Sequence, residues 1–267
     1  MAFRVSGKRI CTEKPAVHVD KMHSHDCYEI YCILSGDADY CVEGSRYHLR
    51  AGDIMLMRKG EVHVVQLKSD DTYERICVYF DIHEILEQVE APQLLKMFND
   101  RPLGKYNHYR AELFPGNHWA EYLNKICAIE DSGMQLCFLL PLLYELAEGM
   151  QTVMNAPPGV QKDRAAPIIK YINENLNEEL SLDLLAERFY ISKAHLNRLF
   201  KQATGTTAWE YITVKRLFLA KELISAGTHP TDAYGKCGFN EYTTFFRSYK
   251  HHFGLSPKEH MEGVAEQ

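Results

Sequence analysis

A chain of 267 residues, 46% hydrophobic and 25% charged, has length for about two domains and enough apolar side chains to give each a core. Its net charge of −6 argues against a wholesale nucleic-acid coat. No apolar run approaches the ~18 residues of a membrane span, and the densest, "LCFLLPLLYELA" (Leu136–Ala147), carries Pro141.

The N-terminal "MAFRVSGKRI" lacks the apolar stretch of a secretory signal. Eight cysteines are scattered without a C-x-x-C pair, which reads as reduced cytosolic thiols and not as a disulfide frame. Residues 8–80 are short β-type runs broken by Gly36-Asp37, Glu43-Gly44, Ala51-Gly52 and Lys59-Gly60, a rhythm that predicts a β-barrel or sandwich. From His83 to Val153 the period becomes helical. One stripe, Leu136, Leu139, Leu140, Leu143, Leu146 and Ala147, suits either the outside of the barrel or a second copy of the chain. "NAPPGVQKDRAAP" (Asn155–Pro167) reads as a linker. The expected division is 1–154, a linker at 155–166, and 167–267.

After the linker the chain reads as helices separated by tight turns, with Ser181 and Ser192 placed to cap two of them. Charge shifts with the texture. Residues 1–158 hold 16 Lys and Arg against 23 Asp and Glu, and residues 159–267 hold 14 against 13. The second half is therefore less acidic without being strongly basic, so any DNA-binding role rests on where its cations sit.

A thirteen-residue phrase occurs twice there. "RLFKQATGTTAWE" (Arg198–Glu210) and "RSYKHHFGLSPKE" (Arg247–Glu259) share Arg, an aromatic, Lys, Gly, Ser or Thr, and Glu at the same places. Each reads as a helix followed by a turn. Gly205 and Gly254 suit a left-handed helix end, and Thr207 and Ser256 can each cap the next helix. On the first helix Ala194, Asn197, Arg198 and Lys201 share a polar stripe beginning beside Lys193. On the second, Thr243, Phe246, Arg247 and Lys250 share one beginning beside Tyr242. Small or planar groups near the helix start, with cations flanking them, are what a helix in the major groove needs.

The stretch Ala233–Pro257, "AYGKCGFNEYTTFFRSYKHHFGLSP", resembles the signature of the AraC/XylS family of bacterial transcription regulators, and Leu185–Gly205 resembles that family's first helix–turn–helix. Phe246, Tyr234 and Gly235 depart from the pattern. The resemblance implies a cytoplasmic, non-enzymatic regulator with an all-α domain of two helix–turn–helix units. Their recognition helices would enter successive major grooves of double-stranded DNA. It also implies a sensor domain, a homodimer and contact with RNA polymerase.

"HSHDCYEIYCILSG" (His23–Gly36) reads H-x-H-x3-E-x6-G, which is similar to the first cupin motif. "GDIMLMRKGEVH" (Gly52–His63) resembles the second, with Arg58 in the proline place and Leu67 in the asparagine place. The fold expected is thus α+β in two domains, with an N-terminal cupin-like β-barrel plus helices. The resemblance implies His23, His25, Glu29 and His63 as ligands for Fe, Mn, Ni or Zn. The same four, with Tyr28, Tyr31 and Tyr40, could instead line a pocket for a small polar effector such as a sugar. Control by metal or by the redox state of Cys27, Cys32 or Cys41 is the alternative.

Overall fold

The computed structural model describes residues 4–15, 22–157, 160–162 and 164–265. They form two compact units, Met1–Asp163 and Arg164–Gln267.

Among the described residues, the first unit opens with β1 (Arg4–Thr12), β2 (Tyr28–Ser35), β3 (Ala38–Val42), β4 (Ser45–Leu49), β5 (Ile54–Met57), β6 (His63–Leu67) and β7 (Tyr73–Asp81). Next come α1 (His83–Gln88), a 3-10 turn at Pro92–Leu95, α2 (Lys96–Asn99), β8 (His108–Tyr109), a 3-10 turn at Ala111–Leu113, α3 (Trp119–Ala128), α4 (Ser132–Asn155) and β9 (Val160–Lys162). All pairings are antiparallel, in two sheets ordered β1-β7-β2-β5-β8 and β6-β3-β4-β9. Alternation along β2 sends Tyr31 and Ile33 into an inner core with Tyr40, Tyr47, Met55, Val65 and Tyr73. The same alternation sends Tyr28, Ile30 and Cys32 to the opposite face.

That outer face is covered by helices. Leu139, Leu143, Leu146 and Ala147 of α4 are buried against it, with Leu136 and Leu140 half-buried at its edge. The buried members of this stripe pack on the barrel's outside, one of the two alternatives the sequence left. The stretch expected as a linker also contributes to this unit, since Val160–Lys162 pairs with Ser45–Tyr47. An open edge of β4 carries unpaired backbone groups, and three extended residues are enough to cover them.

The second unit is all helix: α5 (Ala166–Glu174), α6 (Leu182–Arg188), α7 (Lys193–Thr204), α8 (Ala208–Ser225), α9 (Pro230–Lys236), α10 (Tyr242–Phe253) and α11 (Pro257–Ala265). Ser181 and Ser192 cap α6 and α7 through Leu184 N and His195 N, both at 3.1 Å. One helix–turn–helix is α6–α7 and the other is α9–α10. The long α8 joins them and is buried on several sides, as a helix between two packed units must be.

Candidate functional site

At one end of the inner core of the first unit, β2 directs Glu29 inward. A backbone bridge ties His23 to His63, with His23 N donating to His63 O at 3.1 Å and the reverse bond at 2.9 Å. The three imidazoles of His23, His25 and His63 lie with ring centroids 4.4–5.2 Å apart, and their ligand atoms fall within 4.8 Å of one another. Glu29 Oε2 is 3.1 Å from His63 Nε2 and 3.4 Å from His25 Nε2.

The protonation of this cluster can be followed atom by atom. His63 Nδ1 lies 2.8 Å from the Glu61 carbonyl, which can only accept, so Nδ1 carries a proton. In a neutral ring Nε2 is then a bare acceptor, and it faces a carboxylate that is also an acceptor. Although these distances are short, Glu29 Oε2, His25 Nε2 and His63 Nε2 are buried without a hydrogen bond of acceptable direction. A proton or a metal cation must stand between them. Burial alone would raise the Glu29 carboxyl, but His25 and His63 outweigh it and hold it well below the usual range. Burial alone would lower His63, yet Glu29 outweighs it and the imidazole is raised. The orphaned atoms of His25, His63 and Glu29, with the His23 imidazole beside them, fit a transition-metal ion.

Around the cluster, Tyr40 stacks on His63 at 5.8 Å and Tyr79 meets His25 edge-on at 4.9 Å. Tyr31 lies beneath, its ring 4.7 Å from Tyr40 and its hydroxyl bonded to that of Tyr73. Tyr28, expected with them, is on the other face of β2. There it packs on Phe80 and Phe98, and its hydroxyl sits 3.3 Å from Asn99 Oδ1. It therefore leaves the pocket set, because successive strand residues point oppositely. Burial, the first cause in each case, pushes the Cys27 thiol up to about 11 and Cys32 up to about 12. Cys41 is buried as well. Thiols held protonated at neutral pH make poor redox switches.

Sequence reasoning missed the support of His63. The Glu61 carboxylate takes two bonds from Arg101 (2.8 and 2.7 Å), one from Asn107 (3.1 Å) and one from Gly104 N (2.8 Å), all buried. Arg101 lies 40 residues away in sequence, and no spacing signals the pair.

In the second unit, Lys193, Ala194, Arg198 and Lys201 are exposed on α7 and Asn197 is half-buried, while Leu196, Leu199, Phe200 and Ala203 are buried behind them. On α10, Thr243, Arg247 and Lys250 are exposed, Tyr242 and Phe246 are half-buried, and Phe245 and Tyr249 are buried. Lys193 is drawn to Asp183 of α6 at 2.8 Å. Arg198 touches His195 one turn back, and Arg247 Nε donates to Thr243 O at 3.3 Å; among the described residues neither guanidinium is paired with a carboxylate. Each helix thus offers an Arg and, three residues on, a Lys to a phosphate or base edge.

The repeated phrase is accounted for position by position. Phe200 and Tyr249 are fully buried, and Gly205 (φ 73°) and Gly254 (φ 76°) are the left-handed ends of α7 and α10. Thr207 accepts from Glu210 N at 3.2 Å while Glu210 accepts from Thr207 N at 3.0 Å. Ser256 accepts from Glu259 N at 3.2 Å and Glu259 accepts from Ser256 N at 2.6 Å. The shared glutamates close two capping boxes. Their role too went unread in the sequence, although the spacing from Thr or Ser to Glu was there to see.

Two family models match the chain: an AraC-like ligand-binding domain over residues 11–114 and a helix-turn-helix domain over residues 185–263. The chain belongs to the AraC-type DNA-binding transcription regulators with an N-terminal ligand-binding domain. Among its relatives is the HTH-type transcriptional activator RhaS of Yersinia pestis bv. Antiqua (strain Angola). The two are 24% identical over 254 residues, spanning 89% of this chain and 87% of the relative. Relatives of this kind are transcription regulators and not enzymes. Similar solved structures include unsaturated fatty acid-bound ToxT from Vibrio cholerae, with 14% identity, 97% of this chain and 94% of that one covered, and TM-score 0.41. Another is an AraC-type regulator from Chromobacterium violaceum, with 30% identity, 37% of this chain and 88% of that one covered, and TM-score 0.34. Among the described residues, no helix is long and apolar enough to cross a membrane.

Proposed function

We propose that this regulator reads double-stranded DNA through Lys193, Ala194, Asn197, Arg198 and Lys201 of α7 and Tyr242, Thr243, Phe246, Arg247 and Lys250 of α10, under control of the His23–His25–Glu29–His63 cluster. The cluster holds one divalent transition metal (Zn, Ni, Mn or Fe), with each of the four residues as a ligand. The observation that carries this is the gathering of His25 Nε2, His63 Nε2 and Glu29 Oε2 inside the protein, 3.1–3.4 Å from nitrogen to carboxylate, without a hydrogen bond of acceptable direction. A bound metal would supply a Lewis-acidic anchor for a small polar effector, a sugar being one candidate. Tyr40 and Tyr79 supply ring faces and hydroxyls beside it. Residues 155–166 couple the two activities in a cytoplasmic homodimer that works with RNA polymerase.

Metal analysis of the purified full-length chain tests this. Near one transition metal per chain is expected, and His25→Ala should lose it. Chelation should shift affinity for DNA selected by the protein, and by linkage DNA should shift metal affinity by the same factor. Metal-free protein whose DNA binding ignores added metal would refute the metal reading. The same four residues would then contact the effector directly.

A further inference from the structure

Arg216 lies midway along α8 and is 4% exposed, one turn from the fully buried Ile212 on one side and Ala220 on the other. The two halves of α8 serve different partners. Tyr211 packs on Phe200 of α7 with ring centroids 5.8 Å apart. Leu217, Ala220 and Ile224 share a core with Ala233, Cys237, Phe245 and Tyr249 of the second helix–turn–helix. Arg216 stands at the changeover.

Its guanidinium reaches both sides. Nε donates to Leu176 O at 2.9 Å and Nη2 donates to Glu178 O at 2.8 Å, both in the loop that leads from α5 into α6. Against the guanidinium lies Gly238, in the turn between α9 and α10. A Cβ at that position would sit 2.7 Å from Arg216 Cζ and Nη2, and 2.7 Å from Leu176 O; its φ of +80° also favours glycine. Three segments therefore meet at one point: the entry to the first helix–turn–helix, the joining helix, and the turn of the second. A guanidinium is a rigid planar fork, so two carbonyls fixed on it and a glycine pressed against it leave little freedom to rotate.

We infer that Arg216 is a positioning residue that locks the pose of one helix–turn–helix relative to the other, and so sets the spacing of the DNA elements they read together. This rests on the DNA-reading roles proposed above for α7 and α10. Two linked readers gain from each other only when the link holds the span that the DNA presents. A locked link concentrates that gain at one spacing, whereas a loose one spreads it over several.

The experiment uses the full-length chain and duplexes it selects from a randomised pool. Binding is measured on the selected duplex, on duplexes with either half scrambled, and on one with two base pairs inserted between the halves. That insertion turns one half by about 70°. Wild type should lose about tenfold or more on the insertion. Arg216→Gln, checked for retained helix content by circular dichroism, should lose about tenfold on the full duplex and stay within about twofold of wild type on each half. Its insertion penalty should shrink to about threefold or less. Arg216→Lys, able to reach one carbonyl, should fall between. Equal losses on full and half duplexes for folded Arg216→Gln would overturn the inference. So would a wild type indifferent to the insertion, a result that needs no variant to fold. If Arg198→Ala and Arg247→Ala leave the selected duplex fully bound, the DNA-reading roles themselves fail, and the inference with them.

Discussion

In the first helix–turn–helix the repeated phrase runs from Arg198 on α7 into the capping box of α8. In the second it runs from Arg247 on α10 into the capping box of α11. The aromatic, the glycine, the hydroxyl and the glutamate do the same structural work in both copies. The outward residues differ. The first copy shows Lys193, Ala194 and Asn197 ahead of its Arg, and the second shows Tyr242, Thr243 and Phe246. The starts of the helices differ too, since Ser192 caps α7 while Glu241 gives α10 no side-chain cap. A duplicated element thus keeps the residues that terminate helices and fill its core, and changes those that meet a partner.

If that division is right, the shared aromatics should cost alike. Phe200→Ala and Tyr249→Ala each remove a fully buried ring and should destabilise the helical unit by about 3–5 kcal/mol. Chemical denaturation followed by helical signal would measure it, and a near-neutral result for either would break the equivalence.

The outward residues should part company. Arg198→Ala should weaken binding to a selected duplex by about 1–3 kcal/mol and relax preference at one position. Lys201→Ala and Lys250→Ala should weaken all duplexes alike and reduce the salt slope by about one each. If Arg198→Ala lost equally on selected and random DNA, it would be a phosphate contact instead.

The unequal helix starts predict a smaller pair of effects. Ser192→Ala should cost about 1 kcal/mol, whereas Glu241→Ser should add about 0.5–1 kcal/mol by giving α10 the cap it lacks. A destabilising Glu241→Ser would show that the glutamate has a role beyond the cap position.

Most of the helical unit was legible in the sequence because its rules are local: a cap acts three residues on, a left-handed glycine ends its own helix, and a core stripe repeats every third or fourth residue. Arg216 escaped because its partners, Leu176, Glu178 and Gly238, come together only when the helices pack. A hint existed, since Arg216 shares a stripe with Ile212 and Ala220. The β unit was legible as a class and at its histidines, which a short motif gathers. It was less so at Tyr28, because β2 is buried on both faces and offers no polar contrast to say which side faces the barrel's inner core. Nor could the pairing of Val160–Lys162 with β4 be read from three residues between prolines and charges.

The smallest expected effect concerns the two capping-box glutamates. Glu210 accepts from Thr206 Oγ1, Thr207 N and Thr207 Oγ1, and these bonds, the Thr206 hydroxyl first, hold its carboxyl below the ordinary value. Glu259 is lowered chiefly by Ser256, through its side chain and then its backbone, with Lys250 adding to the effect. A carboxylate depressed in the folded state stabilises above its unfolded pKa, and that contribution is lost as pH falls through the lower folded value. Both boxes should therefore stay closed at neutral pH and open only below the ordinary glutamate value of 4.5. The amide resonances of Thr207 and Ser256, each bonded to its glutamate, report the opening directly. Their titration midpoints should both lie below that value, with Thr207 the lower because Glu210 has the extra donor from Thr206. Glu210→Gln and Glu259→Gln should each abolish the titration at their own box and leave the other unchanged. A Ser256 midpoint below that of Thr207 would mean that the two boxes, alike in sequence, are closed by bonds of different strength from those their geometry presents.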